Sequence, residues 1–446
     1  MTFTKKLSQL LITGLIVCLF PSLVSALSRP ERMVLDNGLV LIVLEQHALP
    51  FVVMELSVKA GSVFDPPGKS GLASLTADLL NEGTGKRSAL QISEEIDYVG
   101  GSLSSGGGLD YAEMNLKVLK KDLSTGFELL SDCLTNPAFS QKELERVRKE
   151  TIASIIEQKD DPHSVAGKAF KKLVYPGHPY RFSPEGEEDT LPEITRNDVT
   201  GFYKKYYHPD NALLVVVGDT DSREIKGLIK KYWSGWKKEK TDFPQIPEIK
   251  RQTSKKIKLV NKQLTQATVI LGHLGIKRTS PDYYSVYVMN YILGGGGFSA
   301  RLLTEIRDKQ GLAYSAASYF APSVYTGSFQ AFVQTKNATT NQVIEATLKE
   351  MKKIQESPVT EQELKDAKSY ITGSFPLKLD TNAKIAGYLS YIEHYNLGLD
   401  YFQKFPDYIN RVTIEDIQKA ARKYLDPEYF QLVVVADQKK AAVSLN

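Results

Sequence analysis

Residues 194–219, ITRNDVTGFYKKYYHPDNALLVVVGD, lie without a gap on residues 412–437, VTIEDIQKAARKYLDPEYFQLVVVAD. Thr195 falls on Thr413, Asp198 on Asp416, Tyr206 on Tyr424, Pro209 on Pro427 and Asp219 on Asp437, and both copies read LVVV at 214–217 and 432–435. Upstream, FSQKEL at 139–144 resembles VTEQEL at 359–364 at nearly the same offset. Self-similarity at a fixed offset marks a repeated supersecondary unit, so the chain reads as two copies of one α+β unit.

The rest of the pattern places the elements of that unit. Asn37-Gly38 separates two apolar runs, a hairpin signal, with strands expected over residues 39–44 and 51–59. An amphipathic helix is expected within GLASLTADLLNEGT, residues 71–84, with Leu72, Leu75, Leu79 and Leu80 on one face. A short helix capped by Ser93 and the Gly-Ser-rich GGSLSSGGG at 100–108 follow, then helices over 119–134 and 142–158 and a buried strand at 213–217. Residues 237–256 are rich in Lys and Glu and carry Pro244 and Pro247, the composition of an exposed linker. The expected domains are therefore 27–247 and 248–446, after a leader at 1–26. Because hairpins precede the helices in each half, the expected fold class is α+β: two homologous domains, each a mostly antiparallel sheet with helices packed on one face.

With 446 residues, 42% of them apolar and 24% charged, the chain can bury two or three cores, and a net charge of +4 gives no field suited to nucleic acid. Lys5 and Lys6, an apolar run over residues 10–23 and Val24-Ser25-Ala26 form a secretory signal cleaved near Ala26. The mature chain is expected in the periplasm, without a stable membrane span. Cys18 leaves with the signal, and Cys133 alone forms neither a disulfide nor a thiolate metal cluster, so it reads as a core thiol.

Candidates for chemistry are few. No two of His47, His163, His178, His208, His273 and His394 lie within one helical turn, so no histidine pair is offered to a metal. Asp78 with Glu82, Glu150 or Glu157 reads as solvated or capped carboxylates rather than a cation site. Gly68-Lys69-Ser70 lacks the glycine that a phosphate loop needs five positions earlier, and there is no Gly-x-Ser-x-Gly elbow. There remains LGGGGFSARLLTEIRDKQGLAYSAASYF, residues 293–320. Gly294, Gly295, Gly296 and Gly297 free the backbone between two helices, Gly311 suits the end of the second, and a strand is expected over 313–320. Arg307 and Tyr314 can then point from a helix-strand corner toward one cleft, or simply sit as a helix-end cation and a half-buried phenol.

Over residues 30–437 the chain resembles the pitrilysin/insulinase peptidases, especially their short two-domain bacterial members. AGSVFDPPGKSGLASLTADLLNEGT is similar to the family segment that carries the inverted His-x-x-Glu-His zinc motif. Laid on that motif, the first histidine is Ser74, the glutamate Ala77, the second histidine Asp78, and the later glutamate ligand Ser154. The resemblance thus implies no metal bound by this chain. It also implies that Arg307 and Tyr314 match the arginine and tyrosine that reach substrate from the family's partner domain, with the Gly294–Gly297 run beside them. The whole resembles the non-zinc subunit of a heterodimeric metallopeptidase, with zinc in a homologous partner and peptides or unfolded segments as substrate. A non-catalytic scaffold or peptide-binding protein of the same fold is the alternative. An edge strand near residues 101–105 is an expected place for strand addition, a plain Gly-Ser loop the competing reading.

Overall fold

Asn37 and Gly38 make the first reversal. The computed structural model describes residues 29–444; the expected signal sequence, Cys18 and the expected mature start lie outside the described residues. β1 (Glu31–Val34) and β2 (Val40–Glu45) pair antiparallel across the turn, where Gly38 adopts φ +91°. A Cβ there would meet Asp210 Cβ at 2.5 Å, so both conformation and space require glycine.

β3 (Phe51–Val58), β4 (Ser102–Gly107), β5 (Ala112–Leu119) and β6 (Ala212–Gly218) complete a sheet of order β1-β2-β6-β3-β5-β4 in which only β2 and β6 run parallel. β7 (Lys256–Asn261), β8 (Gln266–Leu274), β9 (Ala313–Ala321), β10 (Ser328–Lys336) and β11 (Gln431–Ala436) form the second, of order β7-β11-β8-β10-β9, with only β7 and β11 parallel. Leaving out β1, the two orders are the same. The repeat positions explain why. Thr195 and Thr413 cap the helices Arg196–Tyr206 and Ile414–Tyr424, each in a reciprocal box with Asp198 or Asp416. Ser140 and Thr360 likewise cap Gln141–Glu157 and Glu361–Ser374. The LVVV runs are the central strands β6 and β11, fully buried.

Burial on both faces has an unexpected source. Each sheet packs its own helices on one face, as expected, but a helix from the other half covers part of the second. The helix Asn382–His394 lies on β3 and β6, and Ile385, Leu389 and Ile392 join Ile42, Val53, Val215 and Val217 in one core. The helix Pro162–Val174 lies on β8 and β11, so that Ala166, Phe170 and Val174 share a core with Ile270, Val433 and Val435. Gly272 leaves room for it: a Cβ there would lie 2.9 Å from Phe170 Cζ. Polar contacts support the exchange, with Ser57 Oγ 2.8 Å from His394 Nε2 and Arg32 forked onto Glu393 at 2.8–3.1 Å.

Local departures have simple causes. Ser88, not Ser93, caps the helix Ala89–Tyr98, because Gln91 closes a box with it and starts the helix earlier. The next helix runs Leu123–Thr135, since Leu119 belongs to β5. Cys133 is buried in the core, and burial pushes its thiol up to about 12. Residues 237–255 form neither helix nor strand. No helix among the described residues is long and apolar enough to cross a membrane.

Candidate functional site

The helix Leu72–Asp78 begins where Asp65 accepts the Gly71 and Ala73 N–H groups, both at 2.8 Å. It packs on the edge strand β4, so closely that a Cβ on Gly107 would reach Ser74 Cα at 2.5 Å. Leu72, Leu75 and Ala77 are buried, as is Ser74, whose hydroxyl donates to Asp78 Oδ2 at 3.3 Å. Burial raises the Asp78 carboxyl to about 6, with the charge of Glu82 adding to it. The other acids nearby are already engaged: Arg146 binds Glu82, Glu143 at 2.7 Å and Glu150 at 2.9 Å. Ser154 is exposed on its helix and accepts only from Gln158, at 3.4 Å. Among the described residues no three His, Cys, Asp or Glu side chains are grouped to hold a metal.

The corner at β9 is built differently. The helix Tyr283–Asn290 widens into a π-turn, Tyr291–Gly295, and a second wide turn, Thr304–Lys309, carries Arg307. Gly311, at φ +64°, ends it, with Gly311 N–H donating to Arg307 O at 3.0 Å and Leu312 N–H to Ile306 O at 2.9 Å. The first bond is that of an αL ending, the second spans the wide turn, and together they fix where the chain leaves for β9. Tyr314 then falls at a bulge, for Ser315 pairs Gln334 and Ala313 pairs Thr335 with nothing opposite Tyr314. A bulge re-aims a side chain, and Tyr314 is 79% exposed. The Arg307 guanidinium lies 5.5 Å from the Tyr314 ring and 5.1 Å from that of Phe298, itself 76% exposed. The two residues picked from sequence are thus brought together. Phe298 was missed, and its only signal is an aromatic next to the glycine run.

Three of the four glycines serve packing first. A Cβ on Gly294 would meet Ser318 Oγ at 2.4 Å, while Gly297 takes φ +59° in open space. Gly294, Gly295 and Gly297 also line a cavity of about 460 Å³ with Tyr287, Tyr291, Tyr319 and Tyr370. It opens along residues 317–322, beyond the Tyr314 end of β9, so neither Arg307 nor Tyr314 lines it. The histidines are dispersed. His273 accepts from Asp426 N–H at 2.9 Å and sits 2.8 Å from Leu274 O. His394 stacks on Tyr111 at 3.7 Å and meets a serine, Ser57, that is only 1% exposed.

Residues 41–181 match the family model described as insulinase, peptidase family M16, and residues 193–371 match the one described as peptidase M16 inactive domain. The chain belongs to the M16 peptidase family. M16 relatives include an uncharacterized zinc protease of Streptomyces coelicolor, 28% identical over 361 residues that span 79% of this chain and 78% of the relative. A non-peptidase homolog of Helicobacter pylori is 26% identical over 405 residues, 89% of this chain and 91% of the relative. The crystal structure of a peptidase M16 inactive domain from Pseudomonas fluorescens superposes with TM-score 0.86 at 27% identity, covering 92% of this chain and 98% of that one. The metal implied by M16 is zinc, and the residues at its motif do not fit it. Zinc takes three or four convergent donors, held as neutral imidazole or ionised carboxylate. Here one half-buried carboxyl, raised toward its neutral form and bonded to Ser74, stands beside an alanine.

Proposed function

We propose that this chain is the non-zinc subunit of a heterodimeric M16 peptidase, exported to the periplasm, which lends Arg307 and Tyr314 to peptide hydrolysis at a homologous zinc-bearing partner. The observation that carries this reading is the pair of half-buried Arg307 and exposed Tyr314, held by an αL turn and a bulge, in a chain whose own motif helix offers no ligand set. The phenol O–H and the guanidinium N–H fork are donors, and donors fixed in advance stabilise negative charge developing on a peptide carbonyl oxygen. Phe298 and Tyr314 flank the guanidinium and limit its wandering before substrate arrives. An extended or unfolded peptide suits the free edges of β4 and β9, each paired on one side only.

The test is reconstitution with a zinc-bearing M16 homologue. Arg307→Lys or Tyr314→Phe is expected to lower peptide turnover of the mixture ~10²-fold, and the chelator-washed chain alone is expected to hydrolyse nothing and to carry no stoichiometric zinc. Full turnover by the isolated chain would sink the division of labour. A second reading, a non-catalytic scaffold or peptide-binding protein, draws support from the inactive-domain match and the relative named a non-peptidase homolog. It predicts that neither substitution changes turnover of the mixture.

A further inference from the structure

A second cavity lies at the N-terminal end of the motif helix, away from Arg307 and Tyr314, among the loop 62–70 that leads into that helix, the turn 177–182 and the linker residues Pro244 to Pro247. Its volume is about 460 Å³, within the range of small-molecule sites. The walls are mostly apolar, from Val63, Pro66, Pro67, Phe182 and Ile246. Three polar side chains on those walls carry buried atoms without a hydrogen-bond partner: Ser70 Oγ, His178 Nε2 and Arg181 Nε. Ser70 is 5% and His178 2% exposed. A buried donor left unmade is expensive, so three around one cavity call for an acceptor.

All three are donors. His178 Nδ1 accepts the Tyr180 N–H at 3.1 Å, which leaves the ring proton on Nε2. Burial pushes His178 down to about 4, so that tautomer persists at neutral pH. Arg181 adds a permanent positive charge. The carboxylate on the wall, Asp65, is spoken for, with both oxygens accepting from Gly71 and Ala73.

We propose that this cavity binds a carboxylate carried on an apolar body, with Ser70, His178 and Arg181 as its donors and the proline-bearing linker as one wall. The chemistry is shared by a free small acid and by the C-terminal carboxylate of a peptide ending in an apolar residue. It is independent of the peptidase reading, for Arg307, Tyr314 and the Ser74–Asp78 region take no part in it.

The experiment is calorimetric titration of the mature chain with 4-phenylbutyrate, with N-acetyl-Ala-Ala-Leu, and with the amide of each. Saturable binding of a carboxylate, at least ~10-fold tighter than its amide, is expected; binding by the first probe alone identifies a free acid, by the second alone a peptide terminus. Ser70→Ala should weaken it ~3–10-fold and Arg181→Gln ~10–100-fold, while thermal unfolding of the free variants stays at the parent's. On binding, the His178 Nε2 proton should become slow to exchange in NMR spectra. Equal affinity for acid and amide, no saturable binding of either acid, or a Ser70→Ala variant that binds as the parent does would each overturn the proposal.

Discussion

The motif helix at β4 and the Arg/Tyr corner at β9 each lie beside the edge strand of their sheet, although in the repeat the motif helix answers to the helix Tyr283–Asn290 and not to the corner. Gly100 at φ +62° and Gly311 at φ +64° mark the same corner before each strand. At the first station two of the motif positions face inward, Ala77 at 0% and Ser74 at 8% exposed, and Asp78 is half-buried. Side chains there must satisfy the core whatever else they do, so the helix stands with alanine and serine where a metal centre would need ligands. At the second station Tyr314 faces water and Arg307 is half-buried beside it. A cation–π contact at such a site contributes about 0.5–1 kcal/mol, too little for fold stability to explain a bulge and an αL turn that hold Arg307 and Tyr314 together. Inward chemistry can be overwritten by packing, and outward chemistry stands apart from it.

Substitutions can break that contrast. The largest effect is expected where the halves interlock: Phe170→Ala should destabilise by about 3–5 kcal/mol and Leu389→Ala by about 2–5 kcal/mol. In denaturant, fluorescence of Trp233 and Trp236 and amide exchange of β11 should report one shared transition, and two separable transitions would show the halves to be independent. Next comes Asp78→Asn. The raised carboxyl favours the folded state fully below about 4 and loses that contribution as pH climbs through about 6. The wild type should therefore lose stability relative to the variant between pH 4 and pH 7, on the order of 2 kcal/mol, as read from urea midpoints. Gly297→Ala, with φ +59° but open space, should destabilise by about 1 kcal/mol. Smallest of all, Arg307→Lys should leave stability within about 0.5 kcal/mol; a marked loss would make the corner structural and end the contrast.

Much of this architecture is legible in the sequence, for definite reasons. The two LVVV runs, the capping pairs Thr195/Asp198 and Thr413/Asp416, and the Asn37-Gly38 turn are local signals that name their own elements. Arg307 and Tyr314 could be paired because Gly311 fixes the corner between them. The exchanged helices could not be read, since a strand buried on both faces looks the same whichever half supplies the cover. Ser93 misled because Ser88 closes its box with a glutamine rather than an acid. The donors Ser70, His178 and Arg181 lie up to 111 residues apart and meet only after the linker returns across the first domain.

The reciprocal placement of Pro162–Val174 and Asn382–His394 makes the chain a clasp rather than two beads on a string. A nick in residues 237–255 should release no fragment under native conditions, because each piece would still hold the helix that seals its neighbour. Any opening between the halves must then break both seals at once, rather than swing on the hinge the primary structure advertises.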